Sequence, residues 1–105
     1  MIRRVTVNRE VLQLAHDRYG VVRSVTGRPS EYDFVSGPLA AARFAFRGFD
    51  ELSYDIVSSV RWYTVVDPFF GPVTFVGLLL EDQSVEIVGF DDDPDYWAIL
   101  GFEPD

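Results

Sequence analysis

The chain has 105 residues, 48% of them hydrophobic and 15% aromatic, which predicts one folded domain spanning 1–105 and not a disordered segment. It has neither cysteine nor lysine, which excludes disulfides, thiolate chemistry, a lysine Schiff base and a Walker-type phosphate loop. Its formal net charge of −8 argues against direct binding to nucleic acid, whose phosphates require a basic surface.

The charge is divided unevenly along the sequence. Segment 1–49 holds eight arginines and four acids, eight minus four giving +4, whereas 50–105 holds Arg61 against thirteen acids, giving −12. Arginine in place of lysine is typical of a GC-rich coding sequence, which favours a prokaryotic source. No signal peptide is expected, and no apolar run approaches the ~20 residues that span a bilayer, so we expect a cytoplasmic protein without membrane contact.

The first predicted elements are a short strand and a helix. Residues 4–8 alternate polar and apolar side chains, which predicts the strand. Asn8 suits the N-cap of a helix over 9–19, because its side chain can accept a hydrogen bond from the first turn. Val11, Leu12 and Ala15 recur at helical spacing, and Gly20 is a suitable terminating residue.

The next segment, 21–52, is ambiguous. Residues 21–25 suit a short strand, and 27–30 a turn. Pro38 suits the first position of a helix, but strict alternation over 43–47 predicts a strand. We expect a short helix or loop, then a strand, then a turn or single helical turn at 50–52.

The rest of the chain predicts strands. Residues 60–66 are β-branched and aromatic, 73–80 are apolar enough for a central strand, and 85–90 follow a hairpin-length loop at 81–84. Asp93 and Pro94 suit the start of a helix that Gly101 ends. The predicted fold is therefore α+β: an N-terminal strand and helix, an antiparallel β-meander of three or more strands, and a short C-terminal helix.

His16 is the one histidine, so any histidine-dependent catalysis rests on it. It lies one residue off the apolar stripe of its helix, and the simpler interpretation is a solvent-facing side chain near the helix end. A small hydrolase or ribonuclease-like enzyme that uses His16 and N-terminal arginines stays an alternative. We predict no catalytic residue, because no constellation in the sequence points to one.

Acidic residues gather at the ends of the last predicted strand. Asp91, Asp93 and Asp95 begin like a calcium-binding loop, but Tyr96 stands where that loop needs glycine and Phe102 where it needs glutamate, so we predict neither metal nor cofactor. A contact surface for a basic partner is the functional interpretation. Its predicted acidic members are Glu81, Asp82, Glu86, Asp91, Asp92, Asp93 and Asp95.

Aromatic side chains accompany these acids. Phe69 and Phe70 lie between two prolines, and Tyr96 and Trp97 follow the aspartates. Each pair is either core packing or an exposed anchor of the type that dominates binding energy. We therefore predict a non-catalytic, acidic protein-binding module, such as an inhibitor, immunity or antitoxin-like protein, with a basic protein partner. An oligomerising structural or assembly protein is a further alternative.

Overall fold

The computed structural model of the chain describes residues 2–20, 30–52 and 59–91. They form an α+β arrangement in which helices cover one face of a four-stranded sheet. The strands are β1 (Val5–Val7), β2 (Val60–Asp67), β3 (Gly71–Leu79) and β4 (Val85–Asp91), in the order β1-β4-β3-β2. The predicted strand at 21–25 and the predicted C-terminal helix lie outside the described residues.

The predicted meander is confirmed, but the sheet is mixed. β2 pairs with β3 and β3 with β4 in antiparallel fashion, whereas β1 runs parallel to β4, with Val5 opposite Val85. The prediction of an antiparallel arrangement is therefore incomplete. Residue alternation reveals that a segment is a strand, but it contains no information about the direction of a neighbour some 80 residues away.

The predicted first helix is confirmed as α1 (Arg9–Tyr19). Asn8 caps it, accepting a 2.7 Å hydrogen bond from the amide of Glu10, and Gly20 ends it with φ of 76°, a left-handed conformation that glycine adopts without strain. Val11 and Ala15 are buried, but Leu12 is 38% exposed, so the fully buried stripe is narrower than predicted.

The second helical region corrects two predictions. Residues 31–46 are continuously helical, as α2 (Glu31–Phe34), a π-helical turn (Val35–Leu39) and α3 (Ala40–Phe46). The region begins at a capping box between Ser30 and Asp33, and Pro38 lies inside its π-helical turn and not at its start. The strand predicted over 43–47 is wrong. Leu39, Ala42 and Phe46 are buried at helical spacing, whereas Phe44, which a strand would place on the same face as Phe46, is 73% exposed.

A phenylalanine-rich core lies between the helices and the sheet. Phe34 packs against Phe90 with 4.6 Å between the ring centroids, and Phe46 lies over Gly77 of β3. A Cβ atom at position 77 would lie 2.6 Å from the Phe46 ring, so this contact requires glycine. A 3-10 turn (Phe49–Glu51) follows α3 and matches the predicted helical turn. Among the described residues, no helix has the length and apolar character needed to cross a membrane.

Candidate surfaces and the site they define

The acids predicted to contact a partner are, in part, already engaged within the molecule. Asp82 accepts hydrogen bonds from the backbone and side chain of Ser84 and forms a 3.2 Å ion pair with Arg4. Asp91 lies 3.9 Å from the guanidinium of Arg18. The basic N-terminal half thus folds against the acidic half, because the parallel pairing of β1 with β4 brings the two together.

Two further predicted acids lie along the same strand and turn. Glu86 accepts a 3.3 Å hydrogen bond from the Asn8 amide and points away from the buried side chains on either side of it. Glu81 is exposed at the β3–β4 turn. The β3–β4 turn and the β2–β3 turn lie at opposite ends of β3, roughly 25 Å apart. The predicted partner-binding residues are therefore divided between two ends of the sheet. The predicted site residues Asp92, Asp93, Asp95, Tyr96 and Trp97 lie outside the described residues.

A further ion pair joins Arg3 to Asp50. Nη2 and Nε of Arg3 donate to the two carboxylate oxygens of Asp50 at 3.0 and 3.1 Å, and Nη1 donates to the backbone oxygen of Gln83 at 3.0 Å. These hydrogen bonds lower the pKa of Asp50 below its ordinary value of 3.8, since they favour the charged carboxylate. Hydrogen bonds from Ser84, assisted by Arg4, lower the pKa of Asp82 in the same way.

Arg61, the one arginine of the acidic half, has a structural position. Its side chain is buried, and Nη1 lies within 3.1 Å of the carbonyl oxygens of Phe49, Asp50 and Leu52. The guanidinium also stacks over the Phe49 ring, 4.9 Å from its centroid. The buried cation thereby gives a charged donor to three carbonyl oxygens at the end of the 3-10 turn, and that of Phe49 also accepts a 3.1 Å hydrogen bond from the Leu52 amide.

The two phenylalanines of the β2–β3 turn have opposite environments. Phe70 packs into the core, 4.9 Å from the Tyr19 ring centroid, whereas Phe69 is 79% exposed. Oδ1 of Asp67 accepts hydrogen bonds from the backbone amides of both, at 2.8 and 3.1 Å, which fixes the turn. Val66 beside it is 78% exposed. Val66 and Phe69 together are named here the hairpin tip.

His16 lies in a shallow cleft of about 270 Å³ that Arg9, Gln13 and Glu31 also line. Its Nδ1 is 3.0 Å from Oε2 of Glu31, a geometry in which a carboxylate orients an imidazole. As expected, the histidine is about half exposed. This cleft does not include Arg3 or Arg4, two of the arginines from the basic segment.

A second, larger cleft was not predicted from the sequence. It has a volume of about 560 Å³ and lies between residues 2–5 and α3, a space referred to below as the arginine cleft. Its lining includes Ile2, Arg3, Arg4, Arg43, Phe44 and Arg47. The helical spacing of two arginines four positions apart was the available signal, and the strand interpretation of 43–47 concealed it.

No group of three or more histidine or acidic side chains within the described ranges is arranged to hold a metal ion. Comparison of the chain with protein-family models, with curated proteins and with solved structures gave no match. Its function must therefore be inferred from its own residues.

Proposed function

We propose that this chain is a non-catalytic, acidic protein-binding module that engages a basic protein in the prokaryotic cytoplasm, as an inhibitor, immunity protein or antitoxin does. The hairpin tip carries the proposal. It presents an exposed aromatic ring, Phe69, on a turn that the Asp67 side chain holds in place, and an exposed valine, Val66, at the adjoining end of β2. A rigid aromatic anchor of this kind loses little conformational entropy on binding.

Charge supports a basic partner. The net charge of −8 attracts a basic protein over distances of about a Debye length and raises its association rate. Asp91, at the hairpin-tip end of the sheet, begins the densest acidic run of the sequence. In this arrangement the acids steer the partner to the surface and the hairpin tip supplies the short-range contact.

The anchor is tested by capture on immobilised protein from a lysate of the source organism, followed by affinity measurement on the purified partner. Replacing Phe69 with serine should lower the affinity by about thirtyfold or more, the effect of losing a binding hot spot. Tyr32→Ser is the matched control, because Tyr32 is 75% exposed on α2, and it should keep wild-type affinity. Equal affinity of the Phe69 variant and the wild type, or a captured partner that is not basic, would contradict the proposal.

The steering role is tested by association rates measured over a series of salt concentrations. Neutralising Asp92, Asp93 and Asp95 together should slow association and reduce its dependence on salt, while Asp91 keeps its contact with Arg18. A control variant with Glu10→Gln, Asp17→Asn and Glu51→Gln removes the same formal charge elsewhere. If both triple variants slow association equally, net charge alone accounts for the steering and the acidic run has no special role.

A small hydrolase is the second candidate, favoured by the 3.0 Å contact between His16 and Glu31 in a cleft that also holds Arg9. In that reaction His16 would act as general base, with Glu31 orienting the imidazole and Arg9 stabilising an anionic transition state. Activity of the purified protein on RNA and on simple esters, abolished by His16→Ala and by Glu31→Gln, would support this candidate. Activity that survives His16→Ala would eliminate it.

A further inference from the structure

The arginine cleft combines free positive charge with exposed apolar surface. Arg3 and Arg4 have acidic partners in Asp50 and Asp82, but neither Arg43 nor Arg47 has a carboxylate within salt-bridge distance in the part of the chain that the structure describes. Four guanidinium groups and two carboxylates leave an excess of two positive charges around the cleft. A molecule with eight more acids than bases thus has a local surface of the opposite sign.

Two apolar side chains border these charges. Ile2 is 74% exposed and Phe44 is 73% exposed, and the Arg47 guanidinium lies 5.6 Å from the centroid of the Phe44 ring. The two sides of the cleft are joined, because the backbone amide of Arg3 donates a 3.1 Å hydrogen bond to the carbonyl oxygen of Arg47. Arginine and aromatic side chains are enriched in the parts of protein surfaces that contribute most to binding.

The spacing of the free arginines defines the ligand geometry. Arg43 lies in α3 and Arg47 is its C-cap residue, with helical backbone angles, so the two are four positions apart on one side of the helical turn and their Cβ atoms are about 6 Å apart. In an extended peptide, alternate side chains point the same way at about 6.6 Å, so two acids separated by one residue match this spacing. Each guanidinium can bind a carboxylate through two parallel hydrogen bonds.

We propose that the arginine cleft binds an extended, acidic segment of another protein, with two carboxylates on Arg43 and Arg47 and apolar side chains against Ile2 and Phe44. The same guanidinium groups would attract nucleic-acid phosphates. The net charge of −8 repels a long polyanion, however. A short segment with a few carboxylates and apolar residues suits both the guanidinium groups and the exposed apolar side chains of the cleft. This inference does not rest on the proposed function, since it concerns different residues and a partner of opposite charge.

The probe is a hexapeptide in which glutamate alternates with leucine, carrying an uncharged fluorophore, and binding to the full chain is followed by fluorescence anisotropy at low salt. Arg43→Gln and Arg47→Gln should each weaken binding by about fivefold or more, since each removes one charge-assisted contact. Phe44→Ser should weaken it by about threefold. Circular dichroism and thermal unfolding establish that each variant is folded.

Matched controls separate this site from general electrostatic attraction. Arg9→Gln removes the same charge from an exposed arginine in the His16 cleft, and Tyr32→Ser removes an equally exposed aromatic ring; both should keep affinity within about twofold of wild type. A peptide with glutamine in place of glutamate should not bind. Equal loss in Arg9→Gln, equal binding of the glutamine peptide, or no saturable binding of the acidic peptide would overturn the inference.

Other occupants give distinguishable results. Tighter binding of a single-stranded hexathymidylate than of the acidic peptide would assign the cleft to nucleic acid and overturn the inference. A dimer at low salt that dissociates at high salt, and that Arg43→Gln does not form, would assign the cleft to a second copy of this chain and would also overturn the inference. A monomer at both salt concentrations that binds the acidic peptide is the result we expect.

Discussion

The arginines of this protein form two groups that differ in what their guanidinium groups contact. Arg3 and Arg61 are largely buried and bind carboxylate or carbonyl oxygens of other segments, 47 positions away for Arg3 and Asp50 and 9 to 12 positions away for Arg61. Arg43 of α3 and Arg47, which directly follows α3, are exposed and, within the described residues, have no acidic partner. The same residue type thus joins the acidic and basic halves in one group and leaves charge available for binding in the other.

The difference shows how misleading the charge division of the sequence is on its own. A +4 segment followed by a −12 segment suggested a surface of free acids, but folding pairs several of those acids with the basic segment. The charge that is unpaired at the arginine cleft is instead positive. A stretch of like charge along a sequence therefore predicts a surface only when its neighbours in the fold are known.

The largest effect on stability is expected from Arg61. Arg61→Met keeps much of the side-chain volume but leaves the carbonyl oxygens of Phe49, Asp50 and Leu52 without their buried donor. We expect a loss of about 3 kcal/mol, or a fall of roughly 15 °C in Tm, measured by thermal and urea unfolding. Arg47→Met is the control from the exposed group. Similar losses in both variants would mean that the two groups of arginines do not differ in structural role.

A substitution opposite Arg61 measures how much packing contributes to stability at this point, separately from the hydrogen bonds of Arg61. Gly77 is opposite Arg61 in the β2–β3 pairing, and a Cβ there would lie 2.6 Å from the Phe46 ring. Gly77→Ala should therefore cost about 2 kcal/mol through overpacking. Gly48→Ala is the control, because the nearest atom to its Cβ would be 3.6 Å away. A stable Gly77→Ala variant would show that Phe46 moves easily and that packing contributes little at this point.

The local parts of the fold could be predicted from the sequence. Asn8 and Gly20 define both ends of α1, and the turn residues between β3 and β4 mark their hairpin, because each of these signals acts within a few positions. Alternation failed over 43–47, where Ala42 and Phe46 pack against distant parts of the chain. Tertiary packing overrides a local pattern when the segment is short.

The candidate surfaces were harder to predict because they depend on long-range pairing. Arg4 and Asp82 are 78 positions apart, and no local signal indicates that they meet. For the β2–β3 turn the sequence left core packing and an exposed anchor open for both Phe69 and Phe70, and the structure places Phe70 in the core and Phe69 at the surface. Predicting the arginine cleft would have required both the correct assignment of α3 as a helix and knowledge that α3 contacts the N-terminal residues.

Acid unfolding compares the paired acids directly. The pKa of Asp50 is lowered by hydrogen bonds from Arg3, so its contribution to stability is present above its ordinary pKa of 3.8 and is lost as the pH falls through the lowered value in the folded state. Asp50→Asn should therefore be less stable than wild type at pH 7 and should approach it below about pH 4.

The measurement is urea unfolding between neutral and strongly acidic pH. Asp82→Asn should show the same convergence, since hydrogen bonds from Ser84 lower the pKa of Asp82. Glu81→Gln is the control from the same turn, because the described residues give Glu81 no hydrogen bond or ion pair, and its curve should follow that of the wild type. Curves for Asp50→Asn that stay parallel to wild type over the whole range would contradict an ionised Arg3–Asp50 pair.

The smallest effect on stability is expected at the arginines that we assign to binding. Arg43→Gln and Arg47→Gln remove exposed charges that have no acidic partner among the described residues, so each should change the free energy of unfolding by less than about 0.5 kcal/mol. Removing Arg47 also removes its contact with the Phe44 ring, so of the two variants Arg47→Gln should show the larger loss. Because the overall charge is −8, removing a positive charge also increases self-repulsion, which high salt should screen. A loss well above that limit at high salt would show that these arginines stabilise the fold, and the distinction between the two groups would then disappear.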